Sequence, residues 1–512
     1  MNEIAQFHLG SNFTAFLTFV IYFVVLMIIG LSSARASSEG IGEFYLAGRK
    51  LKQFVVALSA VASGRSAWLM LGVSGMAYLH GVSAVWAVTG YILVELFLFL
   101  FVGKRLRRFS EEYDIITIPE YFANRYGALA KDKIHRQPEN LLRLVSVVII
   151  IVFMVPYIAA QFSAGGKAFS VSFHISETHG VWVTAGIVLF YTVLGGYLAV
   201  SLTDMIQAII MLAALIILPA IALYDFGGPN LIFRELAANN QSFIDPAAIG
   251  LGGILGFLGI GLGSPGAPHI LVRYMSVENP QQLRASALIG TIWNVLMAWG
   301  AIYIGLIGRA FYPIKNMLPN ADPETVFPHL AQTHLHPIVF GLVLAAILSA
   351  VMSTADSQLL VAASGVVRDL YEKVLRRGKS VKQTSLVIFS RITVMVLVLI
   401  SIYFALSSHQ WIFWLVLFAW AGLGAAFGPA LLLSLFWDRM TKWGVITGMI
   451  SGTAITILWK SIPALNDMLY ELIPAFLGAT LVSIVVSLLT SPPDGARELV
   501  RKTAATYRKK RA

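Results

Sequence analysis

ALSAVASGRSAWLMLGVSGMAY, residues 57–78, reads as a single membrane crossing with a fault in its middle. The apolar run is long enough for a bilayer, which takes ~20 residues of helix. At its centre stand Ser63, Gly64, Arg65 and Ser66. An arginine at that depth costs about 2.5–3.5 kcal/mol on insertion scales, so it needs a carboxylate, backbone carbonyls or water beside it. Small polar residues around a charge predict a helix that is interrupted where it meets a polar cavity.

A second interrupted stretch lies downstream. LGGILGFLGIGLGSPGAPHIL, residues 251–271, holds Gly259, Gly261, Gly263, Pro265, Gly266 and Pro268 within ten residues. Relative to Ala, a helix interior loses roughly 1 kcal/mol at each Gly and about 3 at each Pro. Close helix packing accounts for one pair of glycines. The whole run predicts unwound backbone.

Around these stretches the chain is apolar throughout. Of its 512 residues, 57% are hydrophobic and 12% charged, where a soluble domain carries about 25% charged. With a mean hydropathy of +0.77, it is expected to be an all-α polytopic membrane protein. Runs long enough to span fall at 14–34, 54–78, 83–103, 141–168, 180–199, 203–225, 246–271, 284–309, 337–366, 385–407, 411–437, 442–460 and 469–490, about thirteen transmembrane helices. The broken spans are the second and the seventh. An odd separation makes them cross in opposite directions, the pattern of an inverted repeat with a midplane site. The expected organisation is one transporter domain over 1–512. It has a peripheral first helix at 14–34, a first repeat at 54–225 and a second at 246–437. Two peripheral helices follow at 442–490, then a basic tail at 491–512.

The net charge of +11 would suggest nucleic acid in a soluble protein. Here it sorts by loop. Arg35, Arg49, Lys50, Lys52, Lys104, Arg105, Arg107, Arg108, Arg125, Lys131, Lys133, Arg136, Arg368, Lys373, Arg376, Arg377, Lys379, Lys382 and the tail are on one side, and the intervening loops at His80 and His409 are poor in Lys and Arg. The positive-inside rule then sets the N-terminus outside and the C-terminus in the cytoplasm, in the plasma (inner) membrane, with lipid and not nucleic acid as the partner. The segment 104–140, with its TIPEYF, reads as a short interfacial helix. Cysteine is absent, which excludes disulfides and thiolate chemistry. No nucleophile–base set or metal-spaced histidines appear, so no enzyme is expected. GLGGILGFLGIG at 250–261 lacks the preceding strand of a dinucleotide site, so no cofactor is expected either.

Ionisable residues inside spans mark function. Arg65, Lys167, Asp204 and Asp356 stand out. Lys167 lies near a helix end and is expected to snorkel. Ser353, Thr354, Asp356 and Ser357 place oxygens on about one helical turn of the ninth span. Such oxygens suit a hard cation, although Ser and Thr alone also bond to their own helix.

At this point the sequence resembles the sodium/solute symporter family, and within it the sodium/proline symporter branch. The segments that carry the resemblance are EFYLAGRKL (43–51), ALSAVASGRSAWLMLG (57–72), TIPEYF (117–122), GGYLAVSLTD (195–204), GSPGAPHILVRYM (263–275), LSAVMSTADSQLLV (348–361) and FAWAGLGAAFGPALLLSLFWDRMT (418–441). The resemblance implies thirteen helices around a five-plus-five inverted repeat. It also implies sodium-coupled uptake of a small organic solute by alternating access, with Na⁺ as the coupling ion and no other cofactor. By motif it implies a sodium site from the carbonyls of Ala62, Arg65 and Ala350 and the hydroxyls of Ser353 and Thr354. A second cation or charge-pair site would involve Asp204, Asp356 and Ser357 with Ser353. Solute would meet Ser66, Trp68, Tyr157, Ile260, Ser264 and Pro268.

The chain departs from the proline pattern. Gly64-Arg65 stands where those symporters carry Asp-Met, and Ile260 and Ser264 stand where they carry Trp and Tyr. Either Arg65 points away and pairs with Asp356 or Asp204, or its guanidinium fills the cation slot. In the second case transport is sodium-independent or driven by H⁺ through Asp356. Arg65 facing the pocket offers a third role, a bidentate partner for a solute carboxylate. The altered walls extend the expected solutes from proline to another amino acid or a small carboxylate. A transporter-like sensor is the other class. It is expected to need a signalling domain, and the segment after Thr490 is short.

Overall fold

The computed structural model describes residues 2–33, 39–128, 137–377, 381–407 and 411–504. Within them the chain is helices and connecting turns, with an isolated β-bridge between Leu51 and Val277. Among the described residues nine helices are long and apolar enough to cross a membrane, or ten with the bent pair Gly250–Gly266 and Pro268–Ser276. Two of the nine are double. Gln53–Glu112 is interrupted at Gly81 (φ 64°), and Glu177–Phe226 at Gly196 (φ 56°), a backbone that glycine adopts without a Cβ penalty. The first of these returns on itself. Leu51 N–H, before its start, donates to Ser276 O (3.2 Å), and Arg107 Nε, near its end, donates to Val277 O (2.7 Å). With Lys442–Ser461 as the twelfth, every expected span coincides with a described helical segment.

Burial orders the helices in layers. In the ninth and eleventh spans, Pro337–Leu375 and Ile412–Phe436, 83% of the apolar window is buried by protein. In the first and last, Phe13–Ser33 and Leu472–Leu489, the share is 28%. The outer helices turn Leu17, Ile21, Ile28, Leu481 and Leu488 outward, as lipid-facing positions require. The inner ones surround the two breaks.

Both breaks have a residue-level cause. In the second span Ser66 adopts φ 50°, ψ −174°, a conformation that costs a non-glycine residue about 1–3 kcal/mol. The freed backbone finds side chains: Trp68 N–H donates to Ser66 Oγ (3.0 Å) and Ala67 N–H to Gln161 Oε1 (3.1 Å). In the seventh span the α-helix ends at Gly259 and tightens to a 3₁₀ turn over Ile260–Gly266. It restarts at Pro268, bent by 51°. Proline at a first helical position loses no hydrogen bond. The glycines also serve close packing: a methyl built on Gly266 would fall 2.6 Å from Gly424 Cα of the eleventh span.

The helix Ile118–Ala123 of the TIPEYF segment is short, as expected, and buried by protein along its whole length. Its Glu120 accepts Ile116 N–H (3.0 Å) and pairs with Arg368 (3.1 Å). The described basic loop residues gather at one end of the bundle. Arg49 pairs with Asp114 (2.9 Å), Arg108 donates to Thr503 O (2.9 Å), and Lys502 pairs with Glu112. Arg35, Lys131, Lys133, Arg136, Lys379, His409, Arg508, Lys509, Lys510 and Arg511 lie outside the described residues.

Candidate functional site

The break in the second span lies against the ninth. Ser353 Oγ donates to Ala62 O (3.2 Å) and Ala350 O (3.3 Å), and Thr354 Oγ1 donates to Ser63 O (3.0 Å). All are fully buried. Ala62, Ala350, Ser353 and Thr354 thus converge, with the Ser63 carbonyl as a further oxygen. Neutral oxygens held apart by two backbones suit a monovalent hard cation. The fifth expected member differs. The Arg65 carbonyl accepts Trp68 N–H within its own helix.

The Arg65 side chain corrects the sequence reading. It pairs with neither Asp204 nor Asp356, and its contacts leave it out of the Ser353–Thr354 cluster. It forms a buried ion pair with Glu95 of the third span and donates from Nε to Asn294 Oδ1 (2.7 Å). Asn294 Nδ2 in turn donates to Glu95 Oε2 (2.6 Å), so the three close a triangle. The guanidinium also lies 3.7 Å above the Tyr91 ring. A charge this deep persists because it is paired and hydrogen-bonded.

Asp204 has a different arginine. Arg273, at the end of the seventh span, reaches Asp204 Oδ2 (2.9 Å), Ser59 Oγ (3.1 Å), Ser63 Oγ (2.6 Å), Ser357 Oγ and the His269 carbonyl. Its guanidinium therefore sits among Asp204, Ser63 and Ser357; Asp204 and Ser357 are two of the residues expected at a second cation site, and Ser63 was not among them. Asp356 is close by but held by neutral donors, the hydroxyls of Tyr191 and Ser357 (3.0 Å for Ser357). Lys167 does not snorkel. It is mostly buried and bridges Asp322 and Glu324, each at 2.6 Å. Burial raises the Glu324 carboxyl above the usual carboxylate range, against the pull of Lys167. Glu324 also accepts the N–H groups of Ile412 (3.0 Å) and Phe413 (2.8 Å), which closes the start of the eleventh span. Phe413 stacks on Trp68, 5.8 Å between centroids.

Beside this oxygen cluster is a cavity of about 10 Å³, lined by Arg65, Trp68, Tyr91, Tyr157, Ile260 and Trp420 among others. That is room for about one water. Three of the expected solute residues, Trp68, Tyr157 and Ile260, line it. Ser66, Ser264 and Pro268 do not; they shape the two breaks. Ser66 is the residue at which the second span leaves helical geometry, and the Ser264 carbonyl accepts Ala267 N–H (3.3 Å). Ile260 and Leu417 are shared with a second cavity of about 740 Å³.

Glu95, Asn294, Arg273 and Ser59 were absent from the sequence-based site. Glu95 had a signal, a carboxylate inside YILVELFLFLF. Arg273 lies two residues past the boundary drawn for the seventh span.

Residues 44–452 match the sodium:solute symporter family. The high-affinity proline transporter PutP of Bacillus subtilis (strain 168) is 39% identical, covering 92% of this chain and 97% of its own. The osmoregulated proline transporter OpuE of the same organism is 37% identical, over 93% and 95%. The sodium/proline symporter of Staphylococcus aureus (strain JH9) is also 37% identical, over 94% of each. A solved Na⁺-coupled sialic acid symporter in a substrate-bound outward-open state superposes with a TM-score of 0.78 at 16% identity, over 94% of this chain and 98% of that one. Mhp1, a nucleobase-cation-symport-1 family transporter in a closed conformation, gives 0.57 at 12% identity, over 90% and 95%. At these identities the two structures speak for the fold.

Proposed function

The chain belongs to the sodium:solute symporter family, and from that premise we propose that it carries a small zwitterionic amino acid, L-proline first among candidates, with one sodium ion per solute. Membership makes it a multi-pass membrane transporter working by Na⁺-coupled symport and not an enzyme. The proposal adds the solute, the ion site and the coupling ratio.

One observation carries the ion site. The hydroxyls of Ser353 and Thr354 meet the carbonyls of Ala62 and Ser63 at the point where the second span is broken. Sodium inserted there exchanges those hydrogen bonds for ion–oxygen contacts and ties the second span to the ninth. The aromatic cavity adjoins the same break, so ion and solute order one backbone segment. Each then lowers the cost of the other, which is the coupling free energy that symport needs. The ratio follows from Arg273. A fixed cation among Asp204, Ser63 and Ser357 leaves no place for a second ion, because two unit charges 4 Å apart repel by about 4 kcal/mol at an effective dielectric of 20.

The solute reading rests on the relatives' proline and on the wall of this pocket. Trp68 and Tyr157 give apolar faces for a ring. Arg65 gives a guanidinium edge for a carboxylate. The central cavity is too small for an amino acid as it stands, so entry requires Ile260 and Leu417 to separate from Trp68 and Trp420. In this reading 54–225 and 246–437 are the halves that move, and the basic end faces the cytoplasm with the N-terminus outside. The test is uptake of radiolabelled L-proline and competing amino acids into proteoliposomes. An inward sodium gradient is expected to drive accumulation, and a proton gradient alone is not. Uptake indifferent to sodium would overturn the ion site, and transport of other solutes with no recognition of proline would overturn the solute.

A further inference from the structure

The third and eighth spans lie side by side. A methyl built on Gly290 of the helix Leu283–Phe311 would fall 3.5 Å from Phe99, and one built on Gly103 would fall 3.2 Å from Leu283. The same two spans carry Glu95 and Asn294, the partners of Arg65. Each also turns an apolar stripe outward at helical spacing: Leu93, Phe97 and Phe101 on one, Leu288, Ile292 and Leu296 on the other. In a membrane protein such stripes face acyl chains.

At the basic end of the molecule each stripe finishes in a cation. Arg284 is exposed one turn before Leu288, and Lys104 is half-buried just past Phe101. The residues before them, Gly103 and Leu283, pack on each other, so the two side chains leave from neighbouring points. The charges that act on Lys104 are both positive, those of Arg284 and Arg108. Among the described residues neither Lys104 nor Arg284 has an ion pair. Their neighbours are engaged. Arg105 donates to Leu435 O (2.8 Å) and covers the Phe436 ring, Arg107 pairs with Glu111 (2.9 Å), and Arg108 donates to Thr503 O (2.9 Å). Glu278 lines a recess of about 430 Å³ with Arg108, and neither Lys104 nor Arg284 lines it. The positive-inside rule accounts for Lys and Arg at this end. It does not account for two of them set against each other with no carboxylate between, an arrangement that repels.

We propose that Lys104 and Arg284 form a binding site for one anionic phospholipid of the leaflet at the basic end. Its phosphate bridges the ammonium and the guanidinium through charge-assisted hydrogen bonds, and Arg108 adds to the positive field. Its acyl chains run along the two stripes above. A soluble phosphate gains the first contact and not the second, so the site is committed to lipid. The lipid ties the third span to the eighth from outside, where the triangle of Arg65, Glu95 and Asn294 ties them from inside. This holds for whatever solute the chain carries.

The chain has no cysteine, so Leu288→Cys gives a single exposed thiol for a bimane label. The labelled full chain is placed in bilayer nanodiscs of phosphatidylcholine with a minor share of phosphatidylglycerol. Quenching with bromine on one lipid or the other reads the ratio of the two at the label. Each Lys or Arg at such a surface favours an anionic lipid by ~1 kcal/mol, about fivefold. Phosphatidylglycerol is therefore expected at about twentyfold over its bulk share. Lys104→Gln and Arg284→Gln each lower the enrichment about fivefold, and together they abolish it. Arg284→Lys keeps the charge and most of the enrichment. Lys373→Gln/Arg376→Gln removes two charges elsewhere at the same end and leaves it unchanged. The thermal midpoint rises with phosphatidylglycerol in the parent and stays level in Lys104→Gln/Arg284→Gln. In phosphatidylcholine alone the two share one midpoint, which shows that the variant folds. No enrichment at Leu288, enrichment that survives the double variant, or an equal loss in Lys373→Gln/Arg376→Gln overturns the proposal. Displacement by inorganic phosphate at constant ionic strength would assign the two cations to a soluble anion and overturn the lipid.

Discussion

Arg65 and Arg273 are both buried in the core of the membrane fold, each against a carboxylate, and they use their donors differently. Arg273 has a close acceptor at each of its three nitrogens, with three acceptors crowded on Nη2. Its contacts are Asp204, three serine hydroxyls and a carbonyl of its own helix. Arg65 gives Nε to Asn294 and Nη2 to Glu95, while among the described residues Nη1 has only the Gly64 carbonyl at 3.5 Å, the limit of a hydrogen bond. The first arginine is a fixed positive charge in a polar knot. The second is a pocket wall with donor capacity in reserve. A chain can therefore carry two arginines into hydrocarbon for two purposes, and the count of unused donors separates them.

The largest effect that could break this contrast comes from Arg273→Met. It strands Asp204, which is fully buried, and removing one member of a buried pair costs about 3–5 kcal/mol. We expect a large drop in the thermal midpoint of the purified protein, with much of it recovered in Arg273→Met/Asp204→Leu. An unchanged midpoint in the single variant would mean that Asp204 is served by another cation.

The contrast is sharpened by a cycle on the other pair. Arg65→Met and Glu95→Gln are expected to couple by about 1–3 kcal/mol in unfolding, because the side chains touch. Arg65→Lys keeps the charge and loses the planar fork. If that fork holds the solute carboxylate, the KM for uptake rises about tenfold while the midpoint moves little. A change in midpoint with constant KM would make Arg65 as structural as Arg273.

A single-step change is expected at the proposed ion cluster. Thr354→Ala removes one oxygen ligand. We expect the sodium concentration for half-maximal uptake to rise about tenfold, the equivalent of about 1.4 kcal/mol. Solute affinity at saturating sodium should stay close to its original value. A loss of proline affinity at every sodium concentration would place Thr354 on the solute.

The span pattern and both breaks were legible in the sequence because bilayer length and Gly/Pro chemistry are local properties. Ser353, Thr354 and Ala350 were legible by motif, and the structure brings them to Ala62. The charge partners were not. Which carboxylate serves Arg65 depends on how the third and eighth spans pack, and Glu95 and Asn294 are separated by 199 residues in sequence. Asp204 and Asp356 looked available because Arg273 was read as lying beyond its span. Lys167 looked like a helix-end residue because its partners, Asp322 and Glu324, come from a distant loop that folds over it. That the fold covers the TIPEYF helix was likewise not legible, because its cover comes from elements distant in sequence, among them the helical segment that carries Arg368.

The coupling ratio tests the central claim most directly. Proteoliposomes are held at zero membrane potential with a fixed outward ratio of L-proline, and the inward sodium ratio is varied until net proline flux stops. With one ion bound at the broken second span and Arg273 standing in for another, flux should vanish where the two ratios are equal and opposed. Balance where the proline ratio equals the square of the sodium ratio, or a balance that sodium does not move, would contradict the account.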